Sequence, residues 1–346
     1  MSVFDLLKEA WQRRQAETAS WRQQKTDCYR LFHGTSEGVP GLTLDRYGSL
    51  VLLQLFRPLV LDLDWEILER WCQEEVGVSQ LVVWQRRAGR SPQLLYPEQP
   101  PEPVWVQEMG QTFKIEAHHR GQDPHLFLDL RCARRYLRHH CEKARVLNLF
   151  SYTCAAGIAA EAGGASQVMN VDFSQAALRR GEENAEANGC RRQHFCCEEV
   201  YPILWQLAGR PLPARARKRP QTRRVPARQY DLVFLDPPAL AKGFFGSVDV
   251  KNDYQGLFKP CLELLAPGGR IVACNNLAGV SEEEFRTVLE RCAAKAGRPT
   301  ERIRRLLPES DFPALDSDPP LKVLVCEFAA ANRAGGGRPA GPAPTS

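Results

Sequence analysis

VLNLFSYTCAAGIAAEAGGASQVMNVDFS (146–174) divides into four pieces whose order decides the fold. VLNLF is a short apolar run of strand length, SYTCAAG a turn of small residues, GIAAEA a helix, and QVMNVD a second strand ending in Asp172. Strand, turn, helix and strand over this length make one βαβ crossover, the unit that joins parallel strands. An acidic residue about 20 residues past the turn, at the end of the second strand, is placed to hold the hydroxyls of a ribose. The Gly-x-Gly-x-x-Gly of dinucleotide binders is missing, and only Gly157 remains of it. A wetter turn built from Ser151, Tyr152 and Thr153 suits an adenosine cofactor that has no pyrophosphate to cradle. The plainer alternative is an ordinary crossover in which Asp172, or Ser174, caps the next helix.

Downstream, the apolar stretch YDLVFL (230–235) closes on Asp236, Pro237, Pro238 and Ala239. A buried strand of a parallel sheet delivers its last residue to the carboxyl edge, where open α/β sheets bind their ligands. Two prolines can neither continue a ladder nor start a helix, so they freeze the exit of the strand. A carboxylate held this rigidly suits a planar nitrogenous ring or an amide.

NLFSYT (148–153), VDFSQAAL (171–178), FLDPPAL (234–240) and CNNLAG (274–279) occur in the order found in bacterial large-subunit ribosomal RNA methyltransferases. HGTSEGVPGLTLDRYG (33–48) and LFLDLRCARRYL (126–137) match further signatures of that group. Over residues 28 to 328 the chain resembles the RlmI type, which makes 5-methylcytosine, and the RlmK half of RlmKL, which makes 7-methylguanine. The resemblance implies an α/β fold: a Rossmann-like S-adenosylmethionine (SAM)-dependent methyltransferase with a mostly parallel seven-stranded sheet, preceded by a small β-rich accessory domain. It implies ribosomal RNA as partner and leaves the oligomeric state open, a homodimer included.

Carried over by motif, Asp172 would hold the ribose, Phe173 would flank the adenine, and Glu199 would accept the adenine amino group. Asn148, Phe150, Ser151 and Tyr152 would line the cofactor site towards its methionine end, with Asp129 and Arg131 closing over it. Asp236, held by Pro237 and Pro238, would meet the target base, with Asn276 beside it. Carbon 5 of cytosine needs a cysteine thiolate on the neighbouring carbon before it can be methylated. Cytosine-modifying relatives have that cysteine where this chain has Asn276, and Cys274 lies two residues deeper in the strand. Asn275–Asn276 matches the guanine-modifying relatives, so a guanine nitrogen is the expected target. Two departures stand out. Cys154 replaces a glycine and is expected to crowd the cofactor, and Leu240 replaces an aromatic residue, with Phe244 or Phe245 as substitute stacking faces. The competing readings are a non-catalytic RNA-binding protein on this scaffold, and a methyltransferase for a protein or small molecule.

Composition agrees with a cytoplasmic enzyme. The chain of 346 residues is 43% hydrophobic, enough for two cores. Its longest apolar run, LVLLQLF (50–56), is far too short to span a membrane. The first residues lack the apolar stretch of a signal peptide. Twelve cysteines are scattered without a CxxC pair and read as reduced thiols. The neighbouring pairs His118/His119 and His139/His140 would diverge in a strand, so no metal site is expected.

Organisation follows from punctuation and pattern. Residues 2–25 read as one amphipathic helix through Phe4, Leu7 and Trp11, making 1–27 an N-terminal helix. Short strands broken by Gly and Pro fill 28–115, the accessory RNA-binding domain. Alternating strands and helices over 116–330 form the methyltransferase domain, with 300–307 and 321–328 as its last two, antiparallel strands. Residues 331–346 read as a disordered tail. Between Gly209 and Gln229 lie eight basic residues, no acidic ones and four prolines, in a chain of net charge +5. This insertion (209–229) reads as a disordered loop on the ligand-facing side, able to grip phosphates. RlmI-like proteins usually carry an N-terminal PUA domain, for which the residues before 28 leave no room. RNA capture is therefore expected to rest on the accessory domain and this loop.

Overall fold

The computed structural model describes residues 1–59, 62–86, 92–99, 101–117, 123–212, 224–315 and 319–330. The chain begins with α1 (Val3–Gln15), started by a capping box in which Ser2 and Asp5 satisfy each other's backbone amides. The single helix expected over 2–25 is in fact two, because α2 (Thr18–Gln23) follows a break at Ala16–Glu17. The Thr18 hydroxyl donates to the Gln15 carbonyl at 2.8 Å, taking an acceptor that a continuous helix would need. Leu7, Ala10, Trp11 and Trp21 bury the inner faces of both helices on a five-stranded sheet.

That sheet has the order β1-β2-β3-β4-β5, with β1 (Cys28–His33), β2 (Leu42–Tyr47), β3 (Leu50–Leu55), β4 (Gln80–Gln85) and β5 (Gln93–Tyr96). β3 and β4 are parallel and joined across α3 (Trp65–Trp71), so this β-rich unit contains a crossover of its own. A hairpin follows, β6 (Val104–Glu108) and β7 (Gln111–Ile115), reversed by Met109 and Gly110 at φ 51° and 77°. Positive φ at both turn residues matches the twist of the strands. Val106, Phe113 and Ile115 share one core with Cys28 and Leu52 on one side and Ile158 and Ala185 on the other. The hairpin thus bridges the two halves of the molecule.

The second half alternates α4 (Arg131–His140), β8 (Arg145–Leu149), α5 (Ala155–Ala162), β9 (Gln167–Asp172), α6 (Gln175–Ala187), β10 (Gln193–Cys197), α7 (Val200–Leu207) and β11 (Tyr230–Leu235). A small hairpin, β12 (Leu240–Lys242) and β13 (Ser247–Asp249), leads to α8 (Gln255–Glu263), β14 (Leu265–Asn275), α9 (Glu282–Lys295), β15 (Thr300–Leu306) and β16 (Lys322–Phe328). The large sheet has the order β10-β9-β8-β11-β14-β16-β15. Its first five strands are parallel, and β16 runs antiparallel to both neighbours. Both faces are covered, one by the core around Leu147, Val233 and Ile271, the other by the core around Val146, Phe234 and Val272. Strand order reverses between β8 and β11, and at such a switch point the two strand exits diverge and leave a crevice.

This topology places the two flanks of the basic insertion. α7 returns to the amino edge of the sheet, where Arg228 donates to Gln167 at the start of β9 and Arg210 pairs with Glu263 at 2.5 Å. Both ends of the insertion therefore stand on the edge opposite the strand exits, not on the ligand-facing side. Residues 213–223, with Arg215, Arg217, Lys218, Arg219 and Arg223, lie outside the described residues, as do His118, His119 and the tail 331–346. His139 and His140 are on helix α4 rather than a strand, and His140 stacks on Tyr136. No group of His, Cys, Asp and Glu among the described residues could hold a metal ion, and all twelve cysteines are free.

Candidate active site

β8 ends in a turn that only local strain explains. Phe150, Tyr152 and Cys154 all have positive φ, at 56°, 49° and 63°. Such strain concentrates where a fixed geometry serves a ligand. Asp172, arriving at the end of the adjacent strand, pins this turn: Oδ2 accepts from the Tyr152 N–H at 2.9 Å and Oδ1 from the Ser174 N–H at 2.8 Å. Burial raises its pKa despite these amides. Each oxygen keeps a second acceptor position for a ribose hydroxyl. The helix cap is Ser174, whose hydroxyl accepts from the Ala177 N–H.

Cys154 does not crowd this turn. It is fully buried, and its sulfur is turned into a notch in α6 at Gly181, where a Cβ would lie 2.5 Å from Sγ. A glycine in the facing helix makes the room that a glycine in the turn would otherwise have provided. Gly157 has a packing reason too. A Cβ there would collide with Asn170 and Gln193, the middle of a polar ladder across three strands. Asn148 Nδ2 donates to Asn170 Oδ1, Asn170 Nδ2 to Gln193 Oε1, and Gln193 Nε2 to Glu161. Asn148 is 1% exposed, with Nδ2 in this ladder and Oδ1 buried without a hydrogen-bond partner, so it faces the ladder rather than an open site.

A cavity of about 310 Å³ opens beside the turn, lined by Phe150, Phe173, Cys197, Glu198, Glu199 and Tyr201 on one side and Lys242 and Gly243 on the other. Phe173 stands 59% exposed at its mouth, a face on which an adenine can lie. Glu199 is already engaged: its two oxygens accept the N–H groups of Phe244 and Phe245 at 2.9 and 3.0 Å. The residue assigned to the adenine amino group therefore also holds the loop after the Asp-Pro-Pro turn. Phe245 is buried edge-on against Trp205, leaving Phe244 as the exposed ring of that loop. Glu198, absent from the sequence assignment, is buried beside them and accepts the Glu199 N–H at 3.0 Å.

Around Asp236 the pocket is anionic. Burial raises Asp236 to about 7, Asp129 nearby adds to the rise, and Arg134 and a hydrogen bond from the Cys274 thiol only partly oppose it. Asp129 is raised by burial, and Asp123 reaches about 7 for the same reason, with Asp129 adding to it. Asp123 Oδ1 is buried with no hydrogen-bond partner. Sequence reasoning missed Asp123, which carries no motif beyond its proximity to LFLDLR. Carboxylates lacking a matching cation are the donor set that a sulfonium and an α-ammonium require, so the residues fit the methionine end of SAM.

Arg131 belongs to a different place. Its guanidinium is fully buried, bonded to Glu108 Oε2 at 3.3 Å, Asp311 Oδ2 at 3.1 Å and the Cys28 carbonyl at 2.8 Å. Enclosed at 0% exposure among these partners it cannot close over a cofactor, and the expected role is corrected to a pin between the two sheets. Asn276 stands exposed just past β14, while Asn275 is buried, its Oδ1 accepting the Leu277 N–H.

The sequence profile of the S-adenosylmethionine-dependent methyltransferases matches residues 30–327. The chain belongs to this family. Its cofactor is SAM, and its fold is that of the family's solved members. A methyltransferase solved in complex with SAH superposes with a TM-score of 0.76 at 25% identity, covering 94% of this chain and 82% of that one. Among curated relatives, the ribosomal RNA large subunit methyltransferase I of Shigella flexneri is 28% identical over 323 residues, 88% of this chain and 76% of the relative. The protein of the same name from Aeromonas salmonicida is 29% identical over 308 residues, 84% of this chain and 72% of the relative. Among the described residues, no helix of this methyltransferase is long and apolar enough to cross a membrane.

Proposed function

We propose that this enzyme methylates a base of large-subunit ribosomal RNA, at a guanine nitrogen rather than at carbon 5 of cytosine. SAM supplies an electrophilic methyl group on a positively charged sulfur. What the chain supplies is position and charge. Asp172 and the strained turn 150–154 would fix the ribose, Phe173 and Glu199 would frame the adenine, and Asp129 with Asp123 would balance the cationic end. Asp236, immobilised by Pro237 and Pro238, would accept a hydrogen bond from the edge of a base turned out of its stack, making the ring or amino nitrogen more nucleophilic. Phe244 would offer that base a stacking face. A cation bound beside Asp236 favours its ionised, accepting form.

The ribosomal substrate rests on the relatives' names and on the shared order of motifs. The choice of guanine rests on one observation, the state of Cys274. Its thiol is fully buried, donates to Asp236, and is pushed well above the ordinary thiol range by burial and by the Asp236 charge. A thiol so held is not the thiolate that cytosine carbon 5 requires. Cys197 is the one cysteine lining the cavity, and it lies at the adenine end, its sulfur against the Phe173 carbonyl. Cys154, the residue that favoured a non-catalytic scaffold, packs into α6 and so no longer argues for that reading.

Purified protein incubated with isotope-labelled SAM and unmodified large-subunit ribosomal RNA tests the proposal by nucleoside mass spectrometry. Label in a methylguanosine is expected. Label in 5-methylcytidine would overturn the choice of base and keep the enzyme. Asp236→Ala should abolish transfer while SAM affinity stays within a few-fold; turnover retained in that variant would refute the role of Asp236.

A further inference from the structure

A second cavity, of about 420 Å³, opens between residues 250–255, which lead into α8, and helix α9. Its floor is apolar, with the rings of Tyr254 and Phe285 meeting edge to face at 4.8 Å. The Tyr254 hydroxyl donates to the Cys274 carbonyl at 3.1 Å, and the thiol of the same Cys274 meets Asp236. The cavity and the catalytic carboxylate are therefore fixed to one residue of β14. Asn275, the next residue, lines the cavity, and with its oxygen on Leu277 its amide nitrogen has no partner among the described residues.

The rim carries Lys251, Arg291 and Lys295, all exposed and none within ion-pair distance of a carboxylate among the described residues. Glu284 is the one carboxylate in the lining, and it is tied to the Ser281 amide and hydroxyl as a helix cap. Elsewhere on the surface, exposed or half-exposed arginines such as Arg13, Arg145 and Arg210 are paired. Three exposed cations outside ion-pair distance of the described carboxylates, around an apolar floor that Asn275 of β14 joins, match an anion attached to a flat or apolar body.

We propose that this cavity takes a nucleotide of the same RNA flanking the target, with its phosphate on Lys251, Arg291 and Lys295 and its sugar or base over Tyr254, Phe285 and Asn275. The proposal rests on the reading of RNA as substrate. It adds to RNA capture a groove that runs from Asn275 at the strand exits along α9 to Arg291 and Lys295 in its last turns. Phosphate contacts of this kind fix register and orientation, and they make affinity salt-dependent.

The test is the double variant Arg291→Gln/Lys295→Gln, with in vitro transcribed large-subunit ribosomal RNA as probe. Both side chains are exposed on α9, so folding should persist, and thermal melting with SAM titration checks it. Binding should weaken about five- to tenfold near 0.1 M salt, and the slope of log affinity against log salt should fall by roughly 0.7 for each lost contact. KM for RNA should rise with kcat little changed, and Arg291→Lys should keep most of the affinity. Lys143→Gln, at an exposed position before β8 and outside this cavity, should match wild type. A double variant with wild-type affinity and salt slope, in a protein that does methylate RNA, overturns the subsite alone. Wild-type protein that neither binds nor methylates RNA overturns the subsite and the RNA reading together. A parallel loss of SAM affinity overturns the subsite by showing damage to the fold.

Discussion

Two groups of buried carboxylates sit on either side of the segment 127–134, and they are built to opposite rules. At the seam between the sheets, Glu108 and Asp311 are fully buried and bonded by the guanidinium groups of Arg131 and Arg134 and by the backbone N–H of Arg30. Burial alone would raise Glu108, but Arg134 and Arg131 outweigh it and hold its pKa below the usual range. At the strand exits, Asp123 is buried and Asp236 and Asp129 are half-buried, yet no arginine among the described residues forms an ion pair with them, and all three are raised by burial. The seam is satisfied within the chain. The exits are left unsatisfied, and what satisfies them must come from outside. Arg134 touches both groups, since it grips Glu108 and also holds the Phe127 carbonyl, just before the turn that carries Asp129.

The sharpest way to break this contrast is to disarm the seam. Glu108→Ala takes a carboxylate partner from two buried arginines and should cost about 3–5 kcal/mol of stability by urea denaturation. Because Glu108 is lowered in the folded state, its contribution exists above the unfolded carboxylate pKa and fades on acidification, so the loss should be largest near neutral pH.

The exits should respond with the opposite sign. Asp236 is raised to about 7, so it favours the folded state below the unfolded value of about 3.8 and progressively disfavours it as pH rises through 7. Asp236→Asn should therefore be more stable than wild type at pH 8, on the order of 2–4 kcal/mol, and equal to it near pH 4. Thermal melts at the two pH values decide it, and the same variant should lose methyl transfer.

A smaller effect probes the turn. Gly181→Ala should cost about 1–3 kcal/mol by overpacking against Cys154, and Cys154→Gly in the same chain should restore most of it. Additive losses in that double-mutant cycle would show that the two residues do not meet. The smallest effect is expected on the amino edge. Arg210→Ala breaks an exposed pair with Glu263 and should change stability by less than about 1 kcal/mol, with RNA affinity unaltered.

Much of the fold could be read from residue patterns. Continuous apolar runs such as YDLVFL announced strands buried on both faces, and their alternation with helices announced a parallel sheet. The acidic strand ends were visible as Asp172 and Asp236, because a strand of known direction delivers its last residue to a known edge. Motif likeness found the residues that face that edge and over-reached for those that do not. Asn148 sits in a matching motif yet points along the sheet to Asn170. Arg131 does too, yet its partners are 23 and 180 residues away.

What the sequence by itself determined is therefore local and directional: which segments are strands, which way they run, and which acidic residues and prolines arrive at their ends. Tertiary structure alone decided the partners. β8 lies between β9 and β11, a loop near residue 311 reaches the accessory sheet, and a glycine in α6 receives the sulfur of Cys154. It also placed both flanks of the basic insertion on the amino edge, since a helix-to-strand connection in a parallel sheet must return there. The physical reason is common to all of these. Periodicity fixes the face a side chain takes on its own element, whereas its charge or volume is answered by residues brought there through long-range strand pairing and packing.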